Sequence, residues 1–559
     1  MVVNVFNGFK FLDMYGAMAL EPETRYISLG PLDHIAPCNI PQSIIYLGLK
    51  QHIDPKDAFV CLREGLCRTI HQAPWLNGRV HFQSRDAPGW RPGQLEIRYK
   101  APPDQEGGGG PSNHSPSSFS SSDYDDAIPL RFKELPSTTS YNELREAGFP
   151  LDRFEDEALL WTSPFQPDFG SGVEVLAAQA NFLPGGCLLV LSIAPPASDG
   201  TAMLNVTRLW ADHCSSILHD RVAMTTTGHQ KPLFSPAVGV DREALDRVLA
   251  EAMNSSKTPE PPNINQATDS LHLVGMDEFQ EFTSKDENLQ LDGGAEAGAT
   301  LATSHHNDDF QGSGMEPSMF YMPQPMYAKL RQELVSVHNG TDVSGNDVIC
   351  AFIWRSVLRA RTAVRGAQKP EVAADLPETT ATLAVPFDAR RDLAHLLSAQ
   401  YLGNLNFEHI FTLPLRTLIS PETTVAWVAK TIRTEITRQT QAAALLEAYG
   451  RLRSVAAYDP SRVQIRASCL PTESPSVGIL SPMTLPFNGT CFGEPLFTNG
   501  GRPEAFRPMM GMCNRRYRTS FVIPRKQHGG IDFVMTLSEE ERAFLQDDDE
   551  FNRYAFSTT

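Results

Sequence analysis

Apolar residues recur at helical spacing from Phe59 through Leu62 and Leu66 to Ile70, directly after Asp54 and Pro55. A carboxylate able to cap free amides, a proline at the first turn and a one-sided apolar stripe predict an amphipathic helix against a core. Pro74 ends that pattern, and the segment from Ala73 to Val80 predicts a break, a turn or bulge at Gly78 and a short strand. The period then changes. Val173 to Phe182 and Cys187 to Ile193 are near-continuous apolar runs around Pro184-Gly185-Gly186, which predicts two buried strands joined by a turn. Helical spacing returns at Met203, Val206, Trp210, Cys214 and Ile217, so this region reads as strand, short loop, helix.

Further along, Ser344 with Asp347 predicts an N-cap and a helix through Val348, Phe352, Ser356 and Arg359. Thr379 to Phe387 reads as a strand, Thr424 to Thr437 as a helix, and Ile531 to Leu537 as a strand. Ser538-x-x-Glu541 reads as a capping box that opens the last helix. Strands and helices mix in both halves, so the expected class is α/β, with α+β mixed layers. Two stretches do not read as packed core: the Gly- then Ser-rich run 107–122, and residues 254–317, rich in Pro, Ser, Asn, Gly and acids. They divide the chain into an N-terminal domain over 1–225 with a low-complexity insertion near 103–125, a partly disordered crossover over 226–325, and a C-terminal domain over 326–559.

The 41% hydrophobic content suits a chain that buries substantial apolar surface. A net charge of −18 opposes a phosphate backbone, so no nucleic acid partner is expected. No apolar run is long enough for a spanning helix, and the first residues lack a signal-like core, so the expectation is a cytoplasmic protein without membrane contact. The nine cysteines include no CxxC pair, and His305-His306 lie in the low-complexity crossover, so no metal site is predicted. Gly107–Gly110 lacks the following Lys-Ser/Thr of a phosphate loop, and Gly-x-Ser-x-Gly is absent.

The candidate chemistry lies in Leu191-Ser192-Ile193-Ala194-Pro195-Pro196-Ala197-Ser198-Asp199-Gly200, where a loop follows a buried strand and precedes a helix. Gly200 is expected to supply a special backbone conformation there. Cys491 would need a neighbouring base or helix N-terminus to act as a thiolate, and otherwise reads as a structural thiol. His34, His71, His213, His219, His409 and His528 read as ordinary core or surface histidines.

Several segments together resemble the fungal branch of the BAHD-type acyltransferases, the trichothecene 3-O-acetyltransferase-like group. Ser28-Leu29-Gly30-Pro31-Leu32-Asp33 resembles its "LSPLD" element, and Phe182-Leu183-Pro184-Gly185-Gly186 its "FIPGG" hairpin. Ser344-Gly345-Asn346-Asp347 with Ala351-Phe352-Ile353-Trp354-Arg355 is similar to "STND…AFLWR". Asp388-Ala389-Arg390-Arg391 and Tyr401-Leu402-Gly403-Asn404 match "DxRxR" and "YFGN" in part, and Gly501 to Arg507 is similar to "GRPEAVR". Gly529-Gly530-Ile531-Asp532 resembles the family's last hairpin. The matches keep the family's order along the chain.

The resemblance implies two chloramphenicol-acetyltransferase-like domains with a tunnel between them, acyl-CoA as co-substrate, no bound cofactor, and a small-molecule alcohol or amine as acceptor. A monomer is expected. In the family a His-x-x-x-Asp-Gly motif supplies a general base, and the Asp holds the loop by pairing with an Arg; here that implies Asp199 as loop anchor, or less readily as a base, with Arg390 as its partner. Gly200, Asn404 and Cys491 are the implied substrate-binding positions. This sequence departs from the motif: Pro195 stands where the family has its His, Cys491-Phe492-Gly493 stands for "DFG", and Asp392 occupies the second Arg position of "DxRxR". The expected function is therefore acyl transfer in fungal secondary metabolite biosynthesis by an atypical mechanism. Two alternatives stay open at this point, a cyclase or isomerase on the same scaffold and a non-catalytic pseudoenzyme.

Overall fold

A computed structural model of the chain describes residues 23–35, 42–100, 128–136, 138–151, 153–154, 156–162, 168–223, 242–255, 315–337, 343–368, 379–393, 401–440, 442–454, 457–458, 475–484, 489–509, 518–524 and 529–558. The run 107–122, His305-His306, His528 and most of 254–317 lie outside the described residues.

In chain order the strands of the first half are β1 (Thr24–Ser28), β2 (Gln42–Gly48), β3 (Arg79–Phe82), β4 (Leu95–Lys100), β5 (Leu130–Glu134), β6 (Val173–Glu174), β7 (Leu176–Leu183) and β8 (Gly186–Ile193). The second half adds β9 (Glu316–Met322), β10 (Thr380–Asp388), β11 (Asn406–Pro414), β12 (Ser476–Leu480), β13 (Ala505–Pro508), β14 (Ser520–Val522), β15 (Ile531–Leu537) and β16 (Phe556–Ser557). The longer helices are α1 (Pro55–Gln72), α2 (Gly200–Ala223), α3 (Arg242–Ser255), α4 (Gln324–Val337), α5 (Gly345–Gln368), α6 (Val425–Gln439), α7 (Ala442–Ser454) and α8 (Glu539–Asp547). They assemble three sheets, ordered β1-β4-β3-β6, β13-β2-β8-β7-β5 and β11-β10-β12-β14-β15-β9-β16. The architecture is mixed α/β.

The patterning explains the first half. Asp54 caps α1 by accepting from the Lys56 amide at 2.8 Å, and α1 buries Cys61, Leu62, Leu66 and Ile70. It lies close against α2, because Gly65 leaves room for the Cys214 sulfur where any side chain would collide with it. Strands β7 and β8 are buried along their whole length, which is why their sequence is largely apolar, and the buried Gln179 and Asn181 of β7 are hydrogen-bonded to each other. Gly185 makes the turn between them at φ +87°.

In the second half Ser344 and Asp347 cap α5 reciprocally: the Asp347 amide donates to Ser344 Oγ at 3.2 Å and the Ser344 amide to Asp347 Oδ2 at 2.7 Å. Thr424 caps α6 by accepting from the Trp427 amide, and Ser538 with Glu541 forms the capping box of α8. That helix is not the last one. A single turn, Asp549–Asn552, follows it and sets Phe551 against Phe320 and Phe352, and β16 then pairs with β9.

Among the described residues, packing crosses the chain's midpoint at α3 and at β13. Helix α3, within 226–325, buries Leu245 and Leu249 in one cluster with Leu445, Tyr449 and Leu452 of α7. Strand β13 lies beside β2, with Ala505 opposite Tyr46 and Pro508 opposite Ser43, so residues late in the chain border the N-terminal sheet. Arg507 of β13 is 1% exposed and donates to the carbonyls of Gly148 and Phe149, and it lies 3.6 Å from Asp532 of the seven-stranded sheet.

Candidate active site

Strand β8 ends at Ile193, and the following loop is buried up to Asp199. The Ala197 and Ser198 amides both donate to the Ala194 carbonyl, which folds the loop into a compact turn. Asp199 closes it by capping α2, its Oδ1 accepting from the Ala202 amide at 2.9 Å. Its Oδ2 accepts from Arg390 Nη1 at 2.9 Å and from the Leu405 amide at 2.8 Å. Arg390 and Leu405 arrive together because they flank the β10–β11 hairpin, where Asp388 pairs with Asn406. Arg390 also donates to the carbonyls of Tyr401 and Gly403 and to Asp388. Burial pushes the Asp199 carboxyl above the usual carboxylate range, and Arg390 with the two amides opposes that rise. With both oxygens engaged by donors, Asp199 holds the loop to the C-terminal half, the chemistry of an anchor.

The rest of the loop is held through its carbonyls. Asn404 Nδ2 donates to Pro195 O at 2.8 Å, to Pro196 O at 3.3 Å and to Asp33 Oδ1 at 2.8 Å. Ser198 Oγ donates to Leu402 O at 2.8 Å. Arg242, the first residue of α3, donates from Nη2 to Ala197 O and from Nε to Asp33 Oδ2, both at 2.6 Å. Asp33 and Arg242 were not among the candidate site residues read from the sequence. The only sequence signal was the place of Asp33 in the Ser28–Asp33 segment, and nothing marked Arg242.

Pro195 and Pro196 are buried and carry no ionisable group. The nearby His34 is neutral in a single tautomer, donating from Nδ1 to Gly30 O at 2.8 Å and accepting at Nε2 from the Leu95 amide at 3.0 Å. It stacks on Tyr458 at 3.9 Å, and burial lowers its pKa to about 4. His409 stacks on Phe387, meets Gln439 at 2.7 Å and is likewise lowered to about 4 by burial. His213 is lowered to about 4 for the same reason. His219 meets the Ser215 carbonyl within its own helix. The Tyr401 hydroxyl is buried without a hydrogen-bond partner, and burial raises its pKa.

Gly200 departs from expectation. It begins α2 outside the left-handed region, is exposed, and an added Cβ would meet nothing within 4 Å, so no backbone requirement explains a glycine there. Cys491 sits elsewhere. Its Sγ faces Gly500 O at 3.3 Å, and its carbonyl accepts from Ser215 Oγ at 2.7 Å, which puts it beside the distal half of α2. At 1.5 Å per residue that is about 24 Å along the helix from Asp199. The structure therefore gathers Asp199, Arg390, Asn404, Pro195 and Gly200 and leaves Cys491 apart. The loop 491–501 is shaped by Gly493, Gly500 and Gly501 at φ +125°, +63° and +76°. A Cβ at Gly501 would lie 2.5 Å from the Gly493 carbonyl carbon and 2.6 Å from the Glu494 nitrogen, so the loop closes only around hydrogen.

Residues 317–552 match the Transferase family. The chain is 24% identical over 96% of its length to the isocyanide synthase-NRPS hybrid crmA of Aspergillus fumigatus, and it spans about a third of that protein (32%). It is also 24% identical to the eremophilane O-acetyltransferase ORF8 of Penicillium roqueforti, over 74% of this chain and 78% of that one. Among solved structures, F. sporotrichioides TRI101, complexed with coenzyme A and T-2, superposes with a TM-score of 0.66 at 17% identity, covering 96% of this chain and all of that one. The architecture is thus that of the two-domain, chloramphenicol-acetyltransferase-like class. Within that class the chain is similar over about three quarters of its length (74%) to the fungal O-acetyltransferase ORF8, and the family match itself is confined to residues 317–552. Among the described residues no helix is long and apolar enough to cross a membrane.

Proposed function

We propose that the protein transfers an acyl group from acyl-CoA to a hydroxyl or amine of a small-molecule intermediate in fungal secondary metabolism, without an imidazole at position 195. The observation that carries this reading is the buried Asp199–Arg390 ion pair, which fixes the loop after β8 against the β10–β11 hairpin. Relatives support it: ORF8 is an eremophilane O-acetyltransferase, and TRI101 has been solved with coenzyme A and a toxin. In this reading the halves 1–225 and 326–559 each supply one side of the substrate path, with Gly200 at its edge and Asn404 holding the wall. The acceptor attacks the thioester carbonyl, its O–H or N–H becomes an O–acyl or N–acyl bond, the C–S bond breaks, and CoA leaves as the thiol carrying the acceptor's proton.

Holding the two reactants in reacting geometry contributes up to about 7–11 kcal/mol without any proton transfer by the protein. A positioned base would add about 10²–10⁴-fold. The enzyme is therefore expected to favour acceptors that attack readily unassisted, such as neutral amines or acidic hydroxyls. The test incubates purified protein with a series of acyl-CoAs and a panel of amines, phenols and aliphatic alcohols, measuring free CoA thiol and acylated product. Equal amounts of the two are expected. Conversion of an acceptor with no CoA released would overturn the reading.

A further inference from the structure

The Pro195-Pro196 pair has no N–H to offer, so its path must be set through its carbonyls and through the residues that follow. Three successive carbonyls, those of Pro195, Pro196 and Ala197, are each taken by a side chain from a distant segment: the first two by Asn404 and the third by Arg242. Both donors are held in turn by one carboxylate. Asp33 accepts from Asn404 on Oδ1, and from Arg242 and the Gly30 amide on Oδ2. Asp33, Arg242 and Asn404 are 2%, 3% and 5% exposed. A charge pair that merely joined two segments would need only Asp33 and a cation. Here the planar fork of the guanidinium spans both the carboxylate and the loop carbonyl, which a point charge on a flexible stem does not reproduce.

We propose that Asp33 and Arg242 are positioning residues for the acceptor site. Directly, and through Asn404, they set the backbone of 195–197 and with it the apolar surface formed by the two prolines. What that surface faces rests on the acyl-transfer reading; the clamp itself does not. Because these residues act on loop shape rather than on a proton, their loss weakens acceptor binding more than it slows turnover of bound acceptor.

The test compares Arg242→Lys with wild type by amide hydrogen exchange and by kinetics. Lysine keeps the positive charge opposite Asp33 but loses the second arm. Exchange at Ala197 to Thr201 is expected to accelerate about ten-fold or more, while α5 keeps its protection. The acceptor KM is expected to rise about ten-fold, with kcat within about three-fold and an unshifted pH profile. Wild-type exchange and KM in Arg242→Lys would overturn the proposal, since charge alone would then suffice. Should that variant fail to fold, Asn404→Ala in the same exchange experiment decides, and unchanged protection at 197–201 overturns the proposal. If wild type acylates nothing but the exchange contrast is seen, acyl transfer falls and the clamp stands. If wild type turns over and neither readout moves, the clamp falls and acyl transfer stands.

Discussion

Helix α2 carries a loop at each end of its packed surface, and the two keep their shape by opposite means. At its start, residues 194–199 are held by side chains that arrive from Arg242, Arg390 and Asn404, the first and last braced by Asp33. Beside its distal half, residues 491–501 are shaped by three glycines at positive φ and by backbone bonds to Gly48 and Lys50, with an edge-on contact of Phe492 with Trp210. The first loop stores its conformation in charge and hydrogen bonds from elsewhere, so it responds to changes far away in sequence. The second depends more on its own backbone, although Ser215 of α2 and the backbone of Gly48 and Lys50 also tie it down.

The contrast is broken most directly at Arg390. Arg390→Met leaves the Asp199 carboxylate buried without its cation, and a loss of about 3–5 kcal/mol is expected in urea denaturation. A loss under about 1 kcal/mol would mean that charge does not hold this end. Acid is the next lever. The pKa of His34 falls to about 4 in the folded chain from an ordinary 6.5, so between these values the unfolded chain binds the proton and the folded one does not. The stability tied to neutral His34 is therefore complete above pH 6.5 and is lost as pH falls toward 4, by about 3 kcal/mol. His34→Gln should flatten that part of the melting temperature against pH curve.

At the glycine-held end, Gly501→Ala forces the backbone apart at a positive φ and is expected to cost about 2 kcal/mol, read from the denaturation midpoint. The smallest effect separates the two glycines of the comparison. Gly200→Ala places a methyl in open space on the first turn of α2 and should change stability by less than about 1 kcal/mol, in the stabilising direction. A cost like that of Gly501→Ala would show that the start of α2 is also backbone-limited.

Much of the fold was legible because it is written locally. The Asp54 cap, the apolar stripe of α1, the continuous runs of β7 and β8, and the Ser538–Glu541 box each need only neighbouring residues to be read. What lay beyond reach was pairing across the chain. Nothing in Ala505 to Pro508 names β2 as its neighbour, and an arginine that begins a helix inside the 226–325 crossover carries no mark of its partner Asp33. The site divides in the same way. Asp199, Arg390 and Asn404 were singled out through motif resemblance, whereas Arg242 enters only by long-range geometry. A glycine at a strand-to-helix loop suggests a backbone role at 200, yet it is glycines 493, 500 and 501, in the loop of the cysteine, that sit at positive φ.

Strand β13 also sets a timetable for synthesis. The strand that borders β2 is translated roughly 300 residues after β8, a delay of about 15–60 s at 5–20 residues per second. Until then the nascent N-terminal sheet presents the bare edge of β2, Gln42–Gly48, an apolar segment of the kind that recruits stray strands. Chaperone cover during that interval, and aggregation of any product truncated before residue 505, follow from where one four-residue strand is placed.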